Sequence, residues 1–157
     1  MATAAEEAYE IFQSRIGQAD GEGEWFQVTQ DQINQFADVT DDHQFIHVDL
    51  EAAKQSPFGT TIAHGFLTLS MLTKLSGSIP GDPATFKGVI MGVNYGFDKV
   101  RFVSPVPSGS RIRAKSTVKA VEIKGPNVTV TRTYEIEVEG SDRPAVVADW
   151  LTRLTYA

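Results

Sequence analysis

Three residues in one 24-residue window carry groups suited to acid–base chemistry beside a developing negative oxygen: Asp42, His47 and Gly65. Imidazole titrates near neutrality and can give or take a proton at physiological pH. A carboxylate can orient water or act as a partner base. Asp42 and His47 are five positions apart in DDHQFIHVDL, a polar stretch whose aspartates favour turns over helix. A loop of that length can bring the two side chains toward one point. Local sequence alone also admits a capping aspartate and a satisfied structural histidine.

Gly65 stands where an apolar helical run begins, in IAHGFLTLSML. Two readings are open. The free N–H groups of a helix start suit a developing oxyanion, and glycine permits close backbone approach. Alternatively, crowding against a sheet excludes a side chain there. His64 reads as a supporting or packing residue, and His43 as an exposed structural one. His43 and His47 have i, i+4 spacing, but Gln44 follows His43 where a metalloprotease helix needs glutamate, and turn signals precede it; no metal site is expected. There is no G-x-S-x-G elbow, no Rossmann or P-loop glycine spacing, and no cysteine to form a disulfide or act as a nucleophile.

The chain that must position these groups has 157 residues, enough for one domain with a real core. Its formal net charge of −6 argues against nucleic acid as a partner. No apolar run approaches the roughly 20 residues of a membrane span, and the acidic N-terminal stretch does not resemble a signal peptide, so a cytoplasmic protein is expected.

Residues 3–16 predict an amphipathic helix with a Thr3/Glu6 capping box and a face of Ala5, Ala8, Tyr9, Phe12 and Ile16. QADGEGE reads as a turn-rich connector. Thr29 and Gln32 predict a second capped helix, with Val28 and Ile33 as its hydrophobic staple. Asp49 is placed to cap a brief turn. The run from Ile62 to Leu75 predicts a helix buried nearly all round, ended by Gly77 and Pro80. After residue 86 the period falls to two, with a phase shift between Phe97 and Val100 that predicts a bulge or bend. Strands are expected over 111–120, 128–138 and 145–156, and the basic face of the first can pair with the acidic face of the second.

The motif Asp42-His43-Gln44-Phe45-Ile46-His47, then PFGTTIAHGFLTLSML at 57–72 and VRFVSPV at 100–106, resembles the MaoC-like dehydratases, a branch of the hot-dog fold that includes (R)-specific enoyl-CoA hydratases. The family pattern reads Asp-x-Asn-Pro-(Ile or Leu)-His, so Gln44 and Phe45 depart from it. The resemblance covers about residues 25–156. It implies an α+β fold, a single hot-dog domain over 25–157 with a curved antiparallel sheet around a long central helix, preceded by an N-terminal helix and connector over 1–24. It implies reversible hydration of a trans-2-enoyl thioester to an (R)-3-hydroxyacyl thioester, with Asp42 and His47 catalytic and the Gly65 N–H on the thioester oxygen. Gln44 keeps an amide that could hold a supporting hydrogen bond, and Phe45 is expected to anchor the loop in apolar surroundings. The substrate would be an acyl-CoA or acyl-carrier-protein thioester, with no further cofactor, and the chain would form a homodimer. Arg101, Arg111 and Arg113 are candidates for the CoA phosphates; a solvated strand face explains them as well. An acyl-CoA thioesterase and a non-catalytic acyl-thioester-binding subunit are the alternative functions.

Overall fold

The computed structural model covers residues 1–157. Its helices come first. Helix α1 spans Ala4–Ser14 and opens on the expected reciprocal box, in which Glu6 N–H donates to Thr3 Oγ1 and Thr3 N–H donates to the Glu6 carboxylate. Ala5, Ala8 and Phe12 form its buried face, whereas Ile16 lies beyond the helix and is exposed. Strands β1 (Ala19–Glu22) and β2 (Phe26–Gln27) follow, then helix α2 (Gln30–Thr40), capped by Thr29 and Gln32 as expected. Val28 and Ile33 are both buried at its start. Two single-turn helices come next, α3 (Phe45–Val48) and α4 (Leu50–Ala53), the latter capped by Asp49. Helices α5 (Gly65–Ser70) and α6 (Leu72–Ser76) make the central element.

The second half is a sheet of long antiparallel strands: β3 (Val89–Phe102), β4 (Arg111–Lys124), β5 (Asn127–Val138) and β6 (Val146–Tyr156). Strand order is β1-β4-β5-β6-β3, with β2 also on β4. The expected phase shift in β3 is present as a register irregularity between Phe97 and Lys99. The inner face of the sheet carries Ile112, Ala114, Tyr134, Ile136, Ala148 and Trp150, which form one core with Leu67, Leu72 and Leu75 of the central helix. A second core joins α1 to Val118, Val128, Val130 and Tyr156. This is the α+β hot-dog architecture.

Four expectations need correction. Residues 19–22 are not a turn-rich connector but strand β1, paired with β4 in the main sheet. The run from Ile62 is helical only from Gly65, the expected helix start, because Ile62 forms a β-bridge with Pro107 and Ala63 N–H is bonded to Val106 O. It is not buried all round either: Phe66 is 69% exposed, so one flank faces out. Finally, His47 sits on a helical turn rather than in irregular loop, since His47 N–H and Asp49 N–H close back onto Gln44 O and Phe45 O.

Candidate active site

Four elements meet at the N-terminal end of the central helix. Helix α2 ends with Asp41 in the left-handed region, φ 57°, and that reversal throws Asp42 clear of the helix. Aspartate tolerates this backbone conformation better than most residues. Asp42 is then followed by the α3 turn, which buries His47 to 7% exposure. The Asp42 carboxylate stays half-exposed and accepts a long bond from Gln44 N–H at 3.4 Å.

His47 is fixed through its ring. Its Nδ1 lies 2.8 Å from the Ile62 carbonyl oxygen. A carbonyl only accepts, so Nδ1 carries the proton and Nε2 presents a lone pair. That Nε2 is 4.0 Å from Asp42 Oδ2. The gap is too long for a direct hydrogen bond and fits one water at about 2.8 Å from each. The backbone of His47 is held too, its carbonyl accepting from Gln30 Nε2 at 2.7 Å, while Gln30 Oε1 accepts from Thr61 Oγ1 at 2.7 Å.

His64 supports the pair from below. Its ring stacks on His47 with centroids 3.9 Å apart, and its Nε2 donates to the Asp42 carbonyl oxygen at 3.0 Å. Its Nδ1 is buried without a partner. Asp42, His47 and His64 form the one His/carboxylate cluster close enough to ligate an ion. The hydrogen bonds to Ile62 and Asp42 occupy one nitrogen of each ring and leave the other nitrogen of each without a protein partner.

Gly65 is the first residue of the helix, and His64 before it offers no side-chain cap. The Gly65 N–H makes no hydrogen bond within the protein. A Cβ on Gly65 would come 2.9 Å from Phe102 Cδ1. Both readings of this glycine therefore have physical support: close approach of an aromatic ring, and an open donor beside Asp42 and His47.

The remaining candidates lie apart from this point. The Gln44 side chain makes no hydrogen bond; its backbone N–H does the holding instead. Phe45 is 47% exposed and does not anchor the loop in an apolar pocket. His43 is exposed, bonded to Asp38 at 2.8 Å and near Asp41, and the Asp38 carboxylate holds its pKa above the ordinary imidazole value. Arg111 pairs with Glu139 at 2.9 Å and Arg113 with Glu137 at 2.6 Å, the cross-strand pairing that makes both charge runs ordinary surface. Arg101 is exposed, bonded only to the Val100 carbonyl. Sequence reading did not find Gln30, Thr61 or Phe102; each acts through the direction of a side chain across long sequence separations, for which no local pattern exists.

At the other end of the central helix lies a half-open cavity of about 760 Å³, between α6, the turn Pro83–Phe86, α1 and the inner face of the sheet. Trp150, Val93 and Leu154 line it together with polar side chains.

The chain matches the family model described as MaoC like domain over residues 11–140. It is 50% identical over 139 residues to 3-hydroxyacyl-thioester dehydratase Z of Mycobacterium tuberculosis, covering 87% of this chain and 89% of that one. It is also 50% identical over 146 residues to nodulation protein N of Rhizobium leguminosarum bv. viciae, covering 91% and 88%. Among solved structures it is similar to the monoamine oxidase regulatory protein from Archaeoglobus fulgius, with TM-score 0.72, 28% identity, and coverage of 93% and 94%.

Proposed function

The chain belongs to the MaoC-like domain family, and from that premise we propose that it is a lyase that reversibly hydrates trans-2-enoyl thioesters to (R)-3-hydroxyacyl thioesters. The observation that carries this reading is the 4.0 Å gap between His47 Nε2 and Asp42 Oδ2, beside the unbonded N–H of Gly65. The name of the Mycobacterium tuberculosis relative, 3-hydroxyacyl-thioester dehydratase Z, supports the same reaction class.

The tautomer of His47 assigns the first step. Nε2 accepts a proton from the held water as its oxygen bonds to C3 of the enoyl group. The C2–C3 π electrons move toward C2 and the thioester carbonyl, whose oxygen gains negative charge. The Gly65 N–H donates to that oxygen, and one such donor is worth roughly 3 kcal/mol of barrier. His47 Nε2 then gives that proton up, and Asp42, whose carboxylate oriented the water, relays it to C2, so that both groups end as they began. In reverse, the same groups remove water from a 3-hydroxyacyl thioester.

The acyl carrier in this reading is CoA or an acyl carrier protein, and Arg101 is the remaining free cation among the phosphate candidates. No helix is long and apolar enough to cross a membrane, and a cytoplasmic location is the reading that goes with a soluble thioester substrate. A homodimer belongs to the same proposal. Strand β3 is a 14-residue sheet edge exposing Ile90, Met91, Val93 and Tyr95 towards one end and Phe102, in contact with Phe66, at the other. An unpaired edge of that length is a template for pairing with another chain.

The test is the loss of enoyl-thioester absorbance when a trans-2-enoyl-CoA is added. Loss of that absorbance with release of an equal amount of free thiol would replace the hydratase with a thioesterase. Saturable binding without either would leave a non-catalytic thioester-binding subunit.

A further inference from the structure

The inner face of strand β5 reads Val128, Val130, Arg132, Tyr134, Ile136, Val138, and one member of this otherwise buried row is a cation, with its side chain 21% exposed. Arg132 is a poor residue for a sheet face that packs on helices, since a buried charge needs a partner and fixed hydrogen bonds. It has one. Its Nε donates to Asp20 Oδ2 at 3.2 Å, and the same oxygen accepts from Ser116 Oγ at 2.7 Å. Arg15 lies 3.8 Å from the other Asp20 oxygen. The Asp20 carboxylate is only 8% exposed, and its Oδ2 is taken up by these two hydrogen bonds, whereas its Oδ1 accepts none.

The donors are not taken up in the same way. The two terminal nitrogens of Arg132 have no hydrogen-bond partner, and its guanidinium is held over the Phe12 ring with the charge centre 5.3 Å from the centroid. Asn94 is turned by Trp150, whose Nε1 donates to Asn94 Oδ1 at 2.8 Å, so the Asn94 amide nitrogen is left as a free donor. Arg132 and Asn94 both line the 760 Å³ cavity, whose other walls include Trp150, Val93 and Leu154. Asp82 lies at its margin, where its Oδ1 is bonded to Ala84 N–H. The cavity thus combines an apolar body with a wall that carries free donors.

The sheet register measures how far this wall is from the site. Ile136, Val146 and Phe102 stand in one row across β5, β6 and β3, and Phe102 abuts Gly65. Arg132, Trp150 and Phe97 stand in a second row, four β5 residues further on. At strand rise that is about 13 Å. A chain of carbon–carbon bonds of about 1.5 Å advances about 1.3 Å per atom when extended, so roughly ten carbons span the distance.

From this arrangement we infer that the protein selects acyl thioesters carrying an acceptor oxygen at the far end of the chain, a terminal carboxylate above all, which Arg132 and Asn94 receive in the cavity. The inference rests on the hydratase reading for the direction in which the acyl chain runs. A bare methyl leaves the guanidinium donors unpaired.

The experiment is calorimetric binding of decanoyl-CoA and its ω-carboxy analogue, both saturated and so not turned over. Wild-type protein should bind the ω-carboxy compound roughly tenfold more tightly, the scale of one charge-assisted hydrogen bond. The double variant Asp20→Asn/Arg132→Met, which removes the charge pair together, should bind both alike. Asn94→Leu, on the edge strand and outside the pair, should lose about threefold for the ω-carboxy compound alone, and decides the matter if the double variant does not fold. Equal or weaker binding of the ω-carboxy compound by wild type, or an undiminished preference in Asn94→Leu and the double variant, overturns the inference. Turnover of trans-2-decenoyl-CoA is followed separately: its absence counts against the hydratase reading, whereas turnover without a carboxylate preference counts against the cavity alone.

Discussion

His47 Nδ1 donates to the carbonyl oxygen of Ile62 at 2.8 Å, and this one bond decides which nitrogen faces Asp42. The carbonyl belongs to the segment just before the central helix, which is itself pinned by the Ile62–Pro107 bridge. His47 is therefore oriented by the same piece of backbone that places Gly65 at the helix start. Sheet, helix and tautomer are coupled through Ile62.

His64 trades stability for this geometry. Its buried Nδ1 has no partner, which costs about 1–3 kcal/mol. His64→Phe keeps a ring against His47 and removes the orphan nitrogen, but gives up the bond to the Asp42 carbonyl. Thermal unfolding of this variant should not fall below wild type, while kcat drops by about a hundredfold through displacement of the Asp42 loop. A kcat equal to wild type would assign His64 to packing only.

The two roles of Gly65 can be separated. Gly65→Ala places Cβ against the Phe102 ring and should lose activity, although its N–H is intact. Phe102 is half-exposed, so Phe102→Ala can make room, and Gly65→Ala/Phe102→Ala should recover most of the rate. Gly65→Pro/Phe102→Ala removes the N–H instead. Proline suits the first position of a helix, and His64 already has the extended backbone it requires, φ −58°, ψ 138°. This variant should fold and lose on the order of a hundredfold in kcat.

Asp149 sets part of the acid stability. Burial alone would raise its pKa, but hydrogen bonds from Lys119 at 2.6 Å and Thr133 at 2.7 Å outweigh that and hold it below the ordinary carboxylate range. A depressed carboxylate contributes stability that is present above its unfolded pKa, about 3.9, and lost as pH falls through the folded value. Asp149→Asn should therefore be less stable by about 1–2 kcal/mol at neutral pH, with a shallower loss of stability below about pH 4. Urea unfolding at pH 7 and pH 3 measures both.

The helix caps, the strands and the bulge near Phe97 were legible because they follow from spacing within a few residues. Asp42 and His47 were legible as types, and the motif joined them to Gly65. The short helix carrying His47 was not, since Gln44-Phe45-Ile46-His47 has neither a side-chain cap nor enough length to show a period. Strand β1 was hidden for a related reason: Asp20 and Gly21 read as turn residues, and only Arg132 and Ser116, more than ninety positions away, make Asp20 a partner inside the sheet. The ion pairs of Arg111 and Arg113 were foreseeable from alternating charge, and they weaken both as phosphate ligands.

His43 supplies the internal control. It is one residue from Asp42, yet it is exposed and bonded to Asp38. His43→Ala should keep wild-type turnover in the enoyl-CoA assay, separating the histidine proposed to react, His47, from its neighbour.

The most direct measurement is the initial rate of trans-2-enoyl-CoA hydration by wild type, Asp42→Asn and His47→Ala, each verified as folded. The account predicts turnover by wild type and losses of about 10²–10⁴ in kcat for each variant, with the double variant little worse than either, as for groups acting as one unit. Full rate in both single variants would contradict the site, and an inactive wild type across short and long acyl chains would contradict the reaction itself.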